Sequence, residues 1–184
     1  TNMSAKNYVA WNWKGGTSFD AGGGSGTGSK NVDAGFSIAK WTGDDDGMDM
    51  SGYPVPQAIT HGLTVTPEMI IVKNRTANSS TSGNWAVYHK DLTSGTYLTL
   101  DGNGGETFWG TSTGEALFSS IGATNASVSN DATTSSIYLN YADNTGGYGD
   151  DDTYIGYFFA SVEGYSSQMG AVTISLISVF AQHL

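Results

Sequence analysis

The chain has 184 residues, no cysteine, 26 glycines and 3 prolines, and 7 basic against 17 acidic residues give a net charge of −10. That length fits one domain able to bury a core without staples, and the missing thiols exclude a disulfide framework, thiolate metal sites and cysteine nucleophiles. Nucleic-acid binding needs clustered Lys and Arg to displace counterions, and an anionic bilayer repels an acidic chain, so neither nucleic acid nor membrane insertion is expected. Charged residues make up only 13%, well below the roughly 25% of ordinary globular chains. A polar, weakly charged surface of Thr, Ser and Asn suits extended two-sided β structure rather than a helical enzyme. With so little proline, turns must be built from Gly, Asn and Asp, which tolerate left-handed backbone.

In chain order, residues 8–13 (Tyr-Val-Ala-Trp-Asn-Trp) predict a leading strand. The glycine-rich stretch 22–29 follows no clear strand and opens no helix, so it lacks the helix N-terminus that a phosphate loop needs. It is read as a flexible linker. Further strands are predicted over 36–42, 69–73, 85–89, 97–100, 116–120, 136–141 and 154–162, separated by Gly/Asn/Asp/Ser turns and almost without helical signal. Residues 69–72 are apolar throughout, as in a central strand covered on both sides, and 154–160 is its expected long neighbour. Many short strands without alternating helices predict an all-β antiparallel sandwich of jelly-roll or concanavalin-like type. Residues 171–180 form an apolar run too short and too interrupted to span a bilayer. It is a last strand or a contact between subunits, and it favours an oligomer.

The two ends of the chain echo each other. Tyr8-Val9-Ala10-Trp11-Asn12-Trp13 and Tyr154-Ile155-Gly156-Tyr157-Phe158-Phe159 both run Tyr, β-branched, small, then aromatic, and both lead into a glycine-bearing turn. The first phrase reads as the closing strand of a preceding unit, and the chain, which opens on Thr1, as one module of a tandem array. This divides the chain into a leading strand and linker (1–34), a β-sandwich (35–166) and an apolar tail or last strand (167–184).

The order of phrases from Gly35-Phe36-Ser37-Ile38-Ala39-Lys40-Trp41-Thr42-Gly43 through Ile59-Thr60-His61-Gly62-Leu63, Pro67-Glu68-Met69-Ile70-Ile71-Val72-Lys73-Asn74-Arg75 and Asn84-Trp85-Ala86-Val87-Tyr88-His89, with Tyr97-Leu98-Thr99-Leu100, to the closing Tyr154–Ser166 phrase is distinctive. It resembles a recurrent, functionally uncharacterised, lectin-like β-sandwich domain of tailed-bacteriophage structural proteins, often found in tandem. The resemblance covers roughly residues 35–166. It implies a non-enzymatic virion module on the particle surface, as capsid decoration or a tail or capsid fibre, partnered by other virion proteins and copies of itself. The family supplies no catalytic residues. The acidic insert after Trp41 and the tail after Ser166 depart from its pattern.

Histidines 61, 89 and 183 match no metal-binding spacing, and hydrogen-bonding structural roles are expected for them. Asp101, Glu106, Glu115 and Glu163 show no sign of the facing pair that glycoside hydrolysis requires. Two carboxylate-rich loops are the better chemical candidates. Asp44, Asp45, Asp46 and Asp49 occupy one; Asp150, Asp151 and Asp152 occupy the other. Such oxygen clusters suit calcium, though solvated acidic loops that keep a surface soluble have the same composition. Trp109 and Tyr148, with Asn144, are the expected glycan contacts should the module act in host attachment.

Overall fold

A computed structural model describes residues 12–22, 25–43, 57–76, 85–93, 95–100, 102–108, 118, 136–139 and 152–163. Among them the chain is all-β, with a single 3₁₀ turn at Val32–Ala34. Ten strands follow in order: β1 Thr17–Gly22, β2 Gly26–Asn31, β3 Phe36–Thr42, β4 Gln57–Thr60, β5 Met69–Asn74, β6 Ala86–His89, β7 Thr96–Thr99, β8 Thr107–Phe108, β9 Ser136–Leu139 and β10 Thr153–Phe159. They join into one antiparallel sheet of order β8-β7-β6-β5-β10-β3-β2-β1-β4-β9.

The sheet is centred on β10. Its Tyr-Ile-Gly-Tyr-Phe-Phe run pairs with β3 from Thr153↔Thr42 to Phe159↔Phe36, and with β5 from Tyr154↔Asn74 to Phe159↔Met69. The expected adjacency of 69–72 and 154–160 is therefore found. Alternation along the strands sends Tyr154 and Phe158 of β10, Ala39 and Trp41 of β3, and Ile70 and Val72 of β5 to one buried face. Removing each of the largest side chains from water stabilises the fold by about 1.5–3 kcal/mol. Trp41 stacks on Tyr154 with centroids 5.9 Å apart. Gly156 leaves room for these rings: a Cβ there would come within 2.9 Å of both Trp41 and Phe158.

The sheet curls over this core. β6 lies near one edge of the strand order and β9 at the other. Phe118 nevertheless bridges Leu139 of β9 and packs its ring 5.7 Å from Tyr88 of β6. Phe118, Leu139 and Ile59 of β4 share one hydrophobic cluster with Ile70, Val72 and Ala86. The two ends of one ladder thus close on the same interior.

Three differences from the sequence reading stand out. Within 22–29, expected as a linker, Gly22 closes β1 and Gly26–Ser29 belong to β2, strands that pair with each other, with β2 on β3 and β1 touching β4. The physical reason is close packing: Gly28 faces the Phe19 ring so tightly that any Cβ would overlap it. Glycine there serves close approach rather than flexibility. Residues 12 and 13, expected to finish a strand, carry no regular secondary structure. β5 is central as expected, yet only one of its faces is sealed: Ile70 and Val72 are buried, whereas Met69 and Ile71 are half-exposed. The expected segment 171–180 lies outside the described residues, as do all but Phe118 of 116–120.

Candidate functional site at the acidic end of the sheet

The three central strands end together. β3 stops at Thr42, β5 stops at Asn74 and β10 starts at Thr153, and these are neighbours in register. Gly43 N–H donates to the Asp152 carbonyl at 2.9 Å, extending the β3–β10 ladder by one bond. Asp44 follows Gly43 and Asp151 precedes Asp152 in the sequence. The two acidic loops, separate in the sequence, therefore leave from one hydrogen-bonded pair of strand ends.

Asp152 organises that end. Its Oδ2 accepts from Asn74 Nδ2 at 2.8 Å and its Oδ1 from the Thr76 hydroxyl at 2.8 Å. Asn74 is buried, and its Oδ1 accepts the Thr76 N–H at 2.9 Å, the local turn that Asn favours just past a strand. Asn74 Nδ2 also reaches the Tyr154 hydroxyl at 3.3 Å. The Thr76 hydroxyl in turn accepts from Thr153 N–H at 2.9 Å, and Arg75 N–H donates to the Thr153 carbonyl at 2.7 Å. A carboxylate that accepts from an amide and a hydroxyl on the facing strand pins the base of the 143–152 loop to the end of β5.

A second feature adjoins it. Gln57 at the start of β4 donates from Nε2 to the Thr42 carbonyl at 2.9 Å, and its Oε1 is buried with no hydrogen-bond partner among the described residues. The Trp41 indole Nε1 is likewise buried and has no partner among the described residues. Orphaned buried polar atoms are uncommon because each forfeits its hydration. The side chain that carries this acceptor oxygen is tied to Thr42, the last residue of β3.

Of the sequence-predicted site residues, Asp152 alone lies among the described ones, and it serves the network above. Asp44, Asp45, Asp46, Asp49, Asp150, Asp151, Trp109, Tyr148 and Asn144 lie outside them. Among the described residues no group of three or more His, Asp or Glu side chains is arranged to hold a metal. Asn74, Thr76, Gly43 and Gln57 were not singled out from sequence. The available signal was Asn74 directly after an apolar strand, a common turn position.

His61 and His89 take hydrogen-bonding structural roles, as expected, and His183 lies outside the described residues. His61 and His89 are both buried and build the same local turn. Leu63 N–H donates to His61 Nδ1 at 3.1 Å, and Asp91 N–H to His89 Nδ1 at 3.2 Å. In each, Nδ1 is the acceptor, which fixes the proton on Nε2 in the neutral ring. Although the Asp91 carboxylate lies 3.7 Å from His89 Nδ1, the backbone donor makes this a neutral imidazole rather than an ion pair. Burial holds the His89 pKa below its ordinary value, opposed by Asp91 and Glu68 and reinforced by Lys90. Glu106, weighed as a hydrolytic carboxylate, instead accepts from Thr93 N–H at 2.9 Å and the Thr96 hydroxyl at 3.0 Å. Hydrogen bonds from Thr93 hold its carboxyl below the usual range. Glu163 sits in an exposed turn after β10, as its position suggested.

Fold and site together define an all-β domain: one curled antiparallel sheet with a polar, loop-bearing end. The chain belongs to the family described as domain of unknown function DUF7483, whose profile matches residues 1–173. No curated protein and no solved structure shows a significant match to it. Among the described residues no helix is long and apolar enough to cross a membrane, which leaves β-barrels unaddressed.

Proposed function

We propose that this domain is a non-enzymatic structural module on the surface of a tailed-bacteriophage virion, working as capsid decoration or as part of a tail or capsid fibre. In this reading its partners are other virion proteins and further copies of itself, and its curled sheet is a concanavalin-like or jelly-roll sandwich. The contact of Phe118 with Tyr88 across the core supports the sandwich. The observation that carries the functional reading is the polarity of the sheet. Lys14–Gly16 runs into β1, and the chain leaves β10 through Ala160, whose N–H donates to the Gly35 carbonyl at 2.8 Å; both passages lie at the Phe36 and Phe159 end. The acidic loops leave the opposite end. A unit strung by one pole and presenting polar loops at the other suits a displayed, repeating appendage. Mass spectrometry of purified phage particles, followed by antibody-labelled electron microscopy, tests this. Detection at a fixed position on the particle supports it, and absence from intact particles refutes it.

A second reading has its own support. Joined loop roots beside the orphaned Gln57 oxygen favour host attachment through a glycan, with calcium held by Asp44, Asp45, Asp46 and Asp49 or by Asp150–Asp152 ordering the loops. Trp109, Tyr148 and Asn144 then supply the stacking and hydrogen-bonding surface. Glycan-array binding that disappears with chelator or in Trp109→Ala supports this reading; a blank array in millimolar calcium removes it.

A further inference from the structure

An open hollow of about 560 Å³ lies on the β1–β2 pair, lined by Ser18, Phe19, Asp20, Ser25, Gly26 and Thr27. Its volume is that of a small-ligand site. The pair is held inside the sheet, since β1 also touches β4 and β2 is matched with β3 from Thr27 to Asn31.

The walls of the hollow are fixed. Phe19 packs against the core cluster, and Gly28 and Gly62 come so close to its ring that a Cβ on either would overlap it. Lys30 Nζ stands 5.8 Å from the ring centroid. A Cβ on Gly26 would overlap the Gly22 carbonyl, so the two strands approach closely there. Asp20 Oδ1 accepts the Gly22 N–H at 2.9 Å, and Ser25 Oγ lies 3.4 Å from Thr42 Oγ1. Side chains held in place before a ligand arrives lower the entropic cost of binding it.

Strand alternation sorts the lining. Asp20 stands opposite Thr27 and Thr27 opposite Lys40, so carboxylate, hydroxyl and ammonium follow one another on one face across β1, β2 and β3. Ser18 precedes Asp20 on that face, and all four side chains are exposed. Ligand classes meet this row differently. An anion would face the Asp20 carboxylate, and an organic cation would face Lys40. A calcium ion would find one carboxylate where it takes six to eight oxygens. A neutral molecule rich in hydroxyls fits every group: it donates to Asp20 Oδ2, accepts from Lys40, and does both with Ser18 and Thr27. Phe19 supplies an apolar wall for its C–H groups.

From this geometry we propose that the hollow on β1 and β2 is a saccharide site, taking a neutral sugar through Ser18, Asp20 and Thr27 with Lys40 at its margin. It uses none of the residues of the loop-based glycan reading, needs no calcium, and depends on no place in a virion.

The test is amide NMR of the isotope-labelled 184-residue chain, titrated singly with glucose, galactose, mannose, rhamnose and N-acetylglucosamine. At least one sugar should move the amides of residues 18–20, 25–27 and 40 along a saturable curve, with or without EDTA. Asp20→Asn keeps an acceptor for the Gly22 N–H, and Thr27→Val keeps the side-chain shape. Each should hold the native spectrum and weaken binding about tenfold. Amides of the hollow that stay still with every sugar overturn the proposal, as does unchanged affinity in both variants or loss of the shifts in EDTA. Calcium-dependent shifts confined to the surroundings of Trp109 and Tyr148 would support the loop reading and overturn the hollow.

Discussion

Gly43 and Asp152 are joined through their backbones at 2.9 Å, one residue beyond the last paired residues of β3 and β10. That bond makes the two acidic segments, far apart along the chain, neighbours at their roots. The Asp152 side chain then ties the same point to β5 through Asn74 and Thr76. Replacing Asp152 with Ala removes the acceptor of both groups and leaves the buried Asn74 amide with the Tyr154 hydroxyl among its remaining contacts. The expected cost is about 1–3 kcal/mol in urea unfolding. An unchanged midpoint would show that the network carries no stability.

His89 gives the fold an acid limit. Its pKa is lowered in the folded protein, chiefly by burial, so the native state holds the neutral ring. The unfolded chain takes up a proton near the ordinary value of 6.5 while the folded one does so only at lower pH. This contribution is therefore fully present above 6.5 and is lost as pH falls through the folded pKa. Urea midpoints should be flat around neutrality and decline on acidification, and His89→Asn should flatten part of that decline. A slope identical in wild type and variant would refute the assignment.

Gly156 should not tolerate a side chain. An added methyl meets the Trp41 and Phe158 rings at 2.9 Å inside the stacked core. Overpacking of this kind costs about 1–3 kcal/mol. Gly156→Ala should lower the thermal midpoint and loosen the Trp41–Tyr154 stack, visible as a weakened near-ultraviolet circular-dichroism signal. Wild-type stability in this variant would mean that the stack can shift at no cost.

Curling of the sheet is open to test through Tyr88. Burial, with smaller contributions from Asp91 and Glu68, pushes its hydroxyl up to about 12. The contribution of Tyr88 to stability is present below its unfolded value of 10 and is lost as pH rises through about 12. Phe118→Ala removes the ring that packs on it and should cost about 3–5 kcal/mol. In that variant, ultraviolet titration should find one tyrosine shifted back toward 10. If Tyr88 keeps its titration midpoint without Phe118, the two ends of the sheet do not close on each other there.

How much of this was legible in the sequence follows the density of apolar alternation. β3, β5, β6 and β10 announce themselves because they are short runs dense in β-branched and aromatic residues bounded by turn residues, which is what a buried strand needs. β1 and β2 were missed because their strand signal is not carried by side chains of their own. Gly26-Thr27-Gly28-Ser29 is held by backbone pairing to β3 and by the Phe19 ring over Gly28. A glycine that permits close approach and one that permits flexibility look alike in a sequence.

Composition and periodicity by themselves determined the class: an acidic, thiol-free, all-β chain with its core strands expected over 69–73 and 154–162. They also exposed the echo between the two closing phrases. Only the tertiary structure decided that the echo's matching rings, Trp13 and Phe159, touch, and that both acidic loops spring from one bonded pair of strand ends. The physical reason is that burial is a local tendency readable residue by residue, whereas strand order and register arise from competition among all possible pairings, which no short stretch of sequence records.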